Sequence, residues 1–269
     1  MKRYQLLPMF VLAAWLVLAI GAGLLPIDPD HISLEQILHG PAMSAWLGYD
    51  DLGRSVSDRL IMGARTSLMV AAVVVSLSFI VGTMIGVLAA WFGGWVDYLL
   101  VMVIDIFMAF PGILLAIALA GLLGPGIMNA VMALVFVGWV GFARLARSQS
   151  LSIARRDHIQ AATALGTTDT RIMVWHILPL ILSPLLIEAT FAIAGTVIAE
   201  ASLSFLGLGV QPPQASWGSM IREGTRYMLI SPHLVLAPGA AIFLVVMSIN
   251  LIGDNLRDTM DVRLNHTGN

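Results

Sequence analysis

Three acidic residues lie inside long apolar stretches of this sequence, where a charged side chain is costly: Asp105, Glu188 and Glu200. Acids at such positions belong to a proton relay, or they form hydrogen bonds between packed helices. Glu200 lies near the end of its stretch, close enough to the surface for solvation. Asp105 is expected to pair with an arginine or a backbone donor of a neighbouring helix. The sequence therefore favours a structural role for these acids, with a relay as the alternative.

Other residue types that could do chemistry do not occur at the spacings that the chemistry requires. The sequence has no cysteine, and no two of its six histidines have the spacing of a metal-binding pair. It also lacks the glycine-rich loop ending in Lys-Ser or Lys-Thr that binds ATP phosphates. Asp28, Asp30 and His31 are better explained as a turn after an apolar stretch than as a cation site. We therefore predict a chain without enzyme activity, cofactor or metal.

The elements that carry the three acids are predicted to be membrane-spanning helices. Hydrophobic residues make up 58% of the 269 residues and charged residues 11%, with a mean hydropathy of +0.90. A soluble protein usually has about a quarter charged residues, and a membrane span needs about 20 apolar ones. Six segments meet that length: 6–26, 67–92, 98–123, 127–147, 181–201 and 234–254. The sequence predicts an all-α polytopic membrane protein with six transmembrane helices.

The distribution of lysine and arginine predicts the orientation of these helices. Nine of the 14 basic residues lie in segments on one side of a six-span chain, and five lie on the other. Since cytoplasmic segments are enriched in basic residues, the first side is the cytoplasm and both termini are cytoplasmic. The nine are Lys2, Arg3, Arg144, Arg147, Arg155, Arg156, Arg171, Arg257 and Arg263, and the five are Arg54, Arg59, Arg65, Arg222 and Arg226.

The segment between the fourth and fifth spans predicts two short helices outside the bilayer. Ala161, Ala164 and Leu165 share one face at helical spacing, and that face is small and smooth. Gly166 can adopt the left-handed conformation that ends a helix, and Asp169 is favourable at the start of the next one. Such a helix suits insertion into a groove on another protein, and it equally suits a position on the lipid headgroups.

Small residues in the second predicted span indicate close helix packing. Gly82, Gly86 and Ala90 recur every four residues, so they share one face of the helix. Small residues on one face let another helix backbone approach closely. We predict that this face packs inside the helix bundle.

Three groups of residues form recognisable motifs. Gln160-Ala161-Ala162, Gly166 and His176-Ile177-Leu178-Pro179 follow the pattern of the EAA loop of ABC importer permeases. A second group, WLGYDDLGR, runs from Trp46 to Arg54, and a third, EASLSFLGLG, runs from Glu200 to Gly209, with NLIGDNLRD at 250–258. Together they resemble the dipeptide/oligopeptide/nickel permease family, in its C-subunit form, over nearly the whole chain after residue 25.

The resemblance implies the type I ABC importer permease fold, with a cytoplasmic coupling helix at about residues 158–172 that contacts an ATPase subunit. The residues that it assigns to this contact are Gln160, Ala161, Ala162, Leu165, Gly166, Asp169, Arg171, His176 and Pro179. It also implies a homologous permease partner, two ATPase subunits and an extracytoplasmic solute-binding protein, in the lipid of a prokaryotic inner membrane. No nucleic acid partner is implied. Gln160 replaces the glutamate usual in the family, and Leu180 replaces a frequent asparagine.

The outer segment 210–229 mixes polar and apolar residues and predicts an interfacial helix near the docking surface of the binding protein. We assign Trp217, Arg222 and Arg226 to that surface. The predicted organisation is an N-terminal helix with its loop at 1–66, followed by a permease core at 67–269 that includes the coupling loop 149–179.

The predicted function is the permease subunit of an ATP-driven importer. The cargo is a di- or oligopeptide, nickel or a similar small solute, and the sequence leaves this choice open. The alternative is an ion-coupled secondary transporter that uses Asp105 and Glu200. Such transporters commonly contain inverted repeats, and none is visible in the sequence.

Overall fold

The fold is built from apolar runs of helical length, separated by turns that contain glycine or proline. The computed structural model describes residues 6–43 and 45–266, with side chains up to residue 259. Within these residues the regular structure is helical, with two isolated β-bridges and no strand. The helices are α1 (Leu6–Gly21), α2 (Val56–Phe92), α3 (Gly94–Met108), α4 (Gly112–Leu123), α5 (Ile127–Ala154), α6 (Asp157–Ala164), α7 (Asp169–Phe205), α8 (Trp217–Thr225) and α9 (His233–His266), besides one 3-10 turn at Leu34–Gln36. The predicted all-α fold is confirmed.

Four helices are long and apolar enough to cross a membrane: α2, α5, α7 and α9. A fifth crossing results if α3 and α4 are taken together as one bent span. The remaining candidate, α1, is apolar but has only 16 residues, fewer than the roughly 20 of a usual span. Among the described residues there are thus four or five spans by length and composition, where the sequence predicted six.

The third predicted span, 98–123, is two helices rather than one. α3 ends at Met108 and α4 begins at Gly112, with an angle of 85° between them. Pro111 causes the break because it has no amide hydrogen, and the residue before a proline disfavours the helical conformation. The carbonyl of Pro111 then accepts the amide hydrogens of Leu114 and Leu115 at 2.9 and 3.2 Å, which starts the new helix.

The chain forms two compact units, and five of its helices run from one unit into the other. The first unit contains Met1–Val73, Ile117–Ala133 and Ile193–Ile252, and the second contains Val74–Ala116, Leu134–Ala192 and Gly253–Asn269. The N-terminal piece at 1–66 therefore shares a unit with later parts of the chain.

In the first unit, two tryptophans attach α1 and α8 to α2. The indole N–H of Trp15 donates to the carbonyl of Ala64 at 3.2 Å, and that of Trp217 donates to the carbonyl of Leu60 at 3.0 Å. The two rings also contact each other, with centroids 6.3 Å apart. Gly63 makes room for this arrangement, since a Cβ there would lie 2.7 Å from Cδ1 of Trp217.

In the second unit, α2 and α5 approach each other through glycines. A Cβ on Gly82 would lie 2.4 Å from the carbonyl oxygen of Trp139, and one on Gly86 would lie 2.4 Å from that of Ala143. Ala90, the third small residue, is buried. The face predicted from the sequence is thus the face on which the two helix backbones meet.

We expect Gly86→Ala to destabilise the protein, because the added methyl group would overlap backbone atoms of α5. Overpacking of this kind costs about 1–3 kcal/mol, which should lower the melting temperature of the detergent-solubilised protein by several degrees. Gly195→Ala is the matched control, since nothing lies within 4 Å of a Cβ at that helical position. Equal melting temperatures for the two variants would contradict the close approach of α2 and α5.

Candidate functional site

The first helix of the predicted coupling segment ends as the sequence indicated. α6 ends at Ala164, and Gly166 follows with φ +79°, in the left-handed region. The amide of Gly166 donates to the carbonyl of Thr163 at 3.0 Å, and the amide of Thr167 donates to that of Ala162 at 3.1 Å. This pair of bonds is the Schellman motif, in which glycine takes the left-handed position at low cost.

The second helix of the segment is not short, and in this the prediction was wrong. It is the first part of α7, which continues for 37 residues to Phe205. Residues Ile172–Ile177 adopt π-helical turns, and the amide of Leu178 donates to the carbonyl of Met173, five residues back. Pro179 and Pro184 follow within the same helix, and π turns commonly accommodate such irregular sequences. Thr168 occupies the N-cap position, but its hydroxyl makes no capping hydrogen bond.

α6 exposes the small face that the sequence predicted. Ile159 is the buried residue of this helix, whereas Ala161 and Ala164 are exposed, and Leu165 beyond the helix end is 87% exposed. Of the other residues assigned to this contact, Ala162 and His176 are half-buried, while Gln160, Asp169, Arg171 and Pro179 are exposed. The structure therefore brings an unpartnered small face to the end of α5 and the beginning of α7.

Gln160 has a local role that a glutamate could not fill. Its side-chain amide donates a hydrogen bond to the carbonyl of Arg155 at 3.2 Å. An ionised carboxylate has no hydrogen to donate. The departure from the family pattern therefore exchanges a negative charge for a hydrogen bond within the chain.

Glu200 is buried, contrary to the prediction that it is solvated. It is 1% exposed, and its carboxylate accepts hydrogen bonds from the hydroxyls of Ser67 at 3.1 Å and Ser204 at 2.7 Å. Ser216, at the N-terminus of α8, also interacts with it. The hydroxyl of Ser204 accepts the amide hydrogen of Val210 at 3.1 Å. Glu200 thus joins α2, α7 and the loop before α8, which is the structural role favoured for it.

Asp105 forms no ion pair with an arginine in the described part of the chain. Arg147 instead forms a two-pronged ion pair with Asp97, in which Nη2 donates to Oδ2 at 2.7 Å. Asp105 is exposed, and it lines a cleft of about 530 Å³ together with Arg144 and Arg147. The role of Asp97 was not predicted, because its only signal in the sequence is an acid near the end of an apolar stretch.

A second cleft, of about 570 Å³, lies where α3 breaks and α4 begins, and we name it the break cleft. Its walls include Phe107, Met108, Phe110, Gly141, Arg144 and Glu188. Arg144 Nη1 contacts the thioether sulfur of Met108 at 3.3 Å. The cleft therefore contains one basic and one acidic side chain between apolar and aromatic surfaces.

On the first unit, a buried ion-pair network attaches the first loop to α8. Arg54 Nε lies 2.7 Å from Asp50 Oδ2, and Arg54 Nη2 lies 3.1 Å from Glu223 Oε2. Arg59 Nη2 also reaches Glu223 Oε2, at 2.9 Å. The oxygens of Asp50, Asp51 and Glu223 lie within 4.8 Å of one another, close enough for a cation. Two guanidinium groups already supply the positive charge there, so this network is better explained as a structural clasp than as a metal site.

The segment 210–229 contains a helix, α8, as predicted, but Trp217 lies in the interior and does not belong to the docking surface predicted for it. Trp217 is 2% exposed because its ring packs against Trp15 and α2. A capping box, in which Ser216 and Ser219 bond reciprocally, starts the helix. Arg222 and Arg226 are exposed, and the guanidinium of Arg222 lies over Gly207. Only the two arginines are therefore available to a partner.

Comparison with known proteins assigns the chain to a family. Residues 82–266 match the family described as "Binding-protein-dependent transport system inner membrane component". The chain is 38% identical over 257 residues to the glutathione transport system permease protein GsiD of Pectobacterium atrosepticum, covering 95% of this chain and 85% of that one. It is 38% identical over 264 residues to the dipeptide transport system permease protein DppC of Alkalihalophilus pseudofirmus, covering 98% and 87%.

A solved structure supports the fold that the resemblance implied, that of a type I ABC importer permease. A chain of the MetNI methionine ABC transporter, in an inward-facing conformation, superposes with a TM-score of 0.60, at 22% identity, over 74% of this chain and 95% of that one. The predicted resemblance is confirmed, and the relatives support a permease over the ion-coupled alternative. The chain belongs to the family of binding-protein-dependent transport system inner membrane components, as a permease subunit of an ABC importer whose ATP is hydrolysed by separate subunits.

Proposed function

We propose that this subunit imports di- or oligopeptides that a solute-binding protein delivers at the outer face of the membrane. Two relatives at 38% identity are named for the transport of glutathione and of dipeptides. Their similarity extends over at least 95% of this chain, which supports a shared class of cargo. Nickel has no corresponding support among these relatives.

The observation that carries the proposal of ATP-driven import is the exposed small face of α6. An apolar residue such as Leu165 at 87% exposure, beside Ala161 and Ala164, is what a docking surface for another protein presents. Alanine side chains let the partner approach to backbone distance. We assign this face to the contact with an ATPase subunit, so that α6 is the coupling helix.

The position of α6 supports transmission of movement into the membrane. It follows the last turn of α5, and the Schellman turn at Gly166 leads directly into α7. The ion pair of Arg147 with Asp97 ties α5 to α3 near the same end. Because packed helices switch between discrete arrangements rather than stretch, a pull on α6 would change the arrangement of α5 and α7, the two helices joined to it.

We assign six spans to the subunit, with both termini in the cytoplasm of a prokaryotic cell and the helices in its inner membrane. α1 is the sixth span. Its exposed side chains Leu7, Phe10, Val17 and Ile20 share the face opposite the buried Trp15 and Ala19, and an apolar outer face of this kind suits lipid. The excess of basic residues around α6 favours the cytoplasmic side for that end.

The full assembly contains a homologous permease subunit, two ATPase subunits and an extracytoplasmic binding protein. Arg222 and Arg226 of α8 form the docking surface for the binding protein. The clasp of Asp50, Arg54, Arg59 and Glu223 supports this assignment, because it fixes α8 to the first loop and so holds the two arginines at the surface.

We expect Ala161→Arg to abolish coupling. The long charged side chain would overpack a close contact at a cost of about 1–3 kcal/mol, and an unpaired charge would add to this. The variant should insert normally, lose the co-purifying ATPase and transport at least tenfold more slowly. Ser152→Arg, at an exposed position of α5, is the control and should retain the ATPase. Wild-type transport and ATPase content in Ala161→Arg would refute the coupling assignment.

The absence of cysteine allows a direct test of topology. Single cysteines at Thr168 and Gln214, both exposed, should differ in labelling by a membrane-impermeant maleimide. In spheroplasts we expect labelling at 214 and protection at 168 until the membrane is permeabilised. An N-terminal epitope tag should be protected as well. A tag accessible together with position 214 would mean that α1 does not cross the membrane.

We expect Arg226→Glu to weaken docking of the binding protein. Reversal of an exposed charge mainly slows association, so several-fold more loaded binding protein should be needed to stimulate ATP hydrolysis, with the difference shrinking at high salt. Basal hydrolysis should stay unchanged. Arg226→Lys keeps the charge and serves as the control. Identical stimulation curves for Arg226→Glu and the wild type would reject this docking surface.

A further inference from the structure

The break cleft contains two opposite charges that are not used to neutralise each other. Arg144 and Glu188 both line it, and neither forms an ion pair with any residue in the part of the chain that the structure describes. Glu188 Oε1 lies against Gly141, 3.4 Å from where a Cβ would be. Arg144 lies one turn further along the same helix face. A basic and an acidic group thus project from neighbouring positions into one open space.

Both charges lie on membrane-spanning helices. Arg144 is in the second half of α5 (Ile127–Ala154), and Glu188 is at the centre of α7 (Asp169–Phe205). Ionisable groups within membrane-spanning segments are costly unless they serve a pathway or find a partner. Apart from the contact of Arg144 with the sulfur of Met108, the described residues supply no such partner, and solvent or a passing solute in the cleft would lower that cost.

The backbone beside the charges also indicates an aqueous cleft. Between Met108 and Gly112 the chain is not helical, and both residues line the cleft. Non-helical backbone at membrane depth is tolerated only where protein covers it or where it borders a water-filled cavity. Ala109, Phe110 and Pro111 are exposed in this chain, so the break borders open space next to Arg144 that water can enter.

The remaining walls suit varied apolar side chains. Phe107, Phe110 and Val137 contribute them, and the volume of about 570 Å³ lies within the usual range of 300–1,000 Å³ for small-molecule sites. The residues that line the cleft offer one carboxylate and one thioether, and no histidine, which is a poor ligand set for a transition metal.

We propose that the break cleft is a transit site for the two charged ends of a short peptide. The guanidinium of Arg144 binds the peptide carboxylate, Glu188 binds the α-ammonium group, and the apolar walls accept the side chains without selecting among them. This inference rests on the proposed import of peptides, and it adds where in the membrane they bind and through which groups.

The site is also placed to respond to the coupling helix. Arg144 is on the helix that precedes α6, and Glu188 is on the helix that follows it. A movement of α6 that shifts α5 relative to α7 would separate the two charges, so the peptide would be held at one stage of the cycle and released at another.

The test uses the complete transporter in proteoliposomes, with saturating binding protein and radiolabelled alanylalanine, its C-terminal amide or its N-acetyl derivative. In the wild type, each modification removes one charged end and should slow uptake about tenfold, the value expected for one charge-assisted hydrogen bond. In Arg144→Gln, amidation should have less than a twofold effect while acetylation keeps its effect. In Glu188→Gln, the pattern should be reversed.

All variants are assayed with the same binding protein. Its own preference for free or modified peptide ends therefore affects every variant equally, and it cancels when the ratio of uptake of free to modified peptide is compared between variants. Arg144→Lys keeps the positive charge and should keep the sensitivity to amidation, which a merely structural role for Arg144 would not predict. If Arg144→Gln and Glu188→Gln show the wild-type ratios, the transit site is refuted and peptide import stands. If the wild type does not take up alanylalanine, the proposed function fails and this inference fails with it.

A second measurement applies even if the charge variants do not assemble. Val137→Cys introduces a single thiol into the cleft, and Met132→Cys introduces one at an exposed position of α5 outside it. During turnover with alanylalanine, maleimide labelling should slow several-fold at position 137 and stay unchanged at 132. Equal labelling at 137 with and without the peptide would overturn the proposal.

Discussion

The structure depends on one constraint: a polar group placed in an apolar medium must find a partner. Backbone groups meet it by forming helices, which is why the regular structure described here is helical. Several polar side chains find their partners among residues that are far away in the sequence. Glu200 is satisfied by Ser67 and Ser204, and Arg147 by Asp97. The contacts of Glu200 with Ser67 and of Arg147 with Asp97 each fix one helix to another, so groups that are expensive to bury also hold the bundle together.

Because a charge in an apolar medium needs a partner, a charge without one requires a separate explanation. Arg144 on α5 and Glu188 on α7 have no ion-pair partner among the described residues, and they border a break in the backbone. A structure that pairs Asp97 and encloses Glu200 has the means to pair these charges too. Their exposure to a common cleft points to a partner that comes and goes, as a substrate does.

α5 and α7 connect the two surfaces that we propose to be functional. They carry the charges of the break cleft, and they flank α6 at their ends. A rigid helix moves as a unit, so displacement at one end changes the geometry of the cleft without flexible intermediates. Gly166 matters here because its left-handed conformation fixes the direction in which α7 leaves α6. The π turns of α7 lie between that point and the cleft, and such turns occur frequently at functional sites.

The sequence by itself determined the features that depend on neighbouring residues. Apolar runs set the helices, Gly166 ended α6, Pro111 broke the third span, and glycines at Gly82 and Gly86 marked a packing face. These follow from periodicity and from backbone conformation, which a short window of sequence contains. The tertiary structure decided which partner each charge has. Ser67 lies 133 residues from Glu200, Arg147 lies 50 from Asp97, and Glu223 lies 164 from Arg59, so no local pattern could predict these pairs. Only the packed helices determine which polar groups meet, because desolvation makes a charge depend on whatever lies beside it in space.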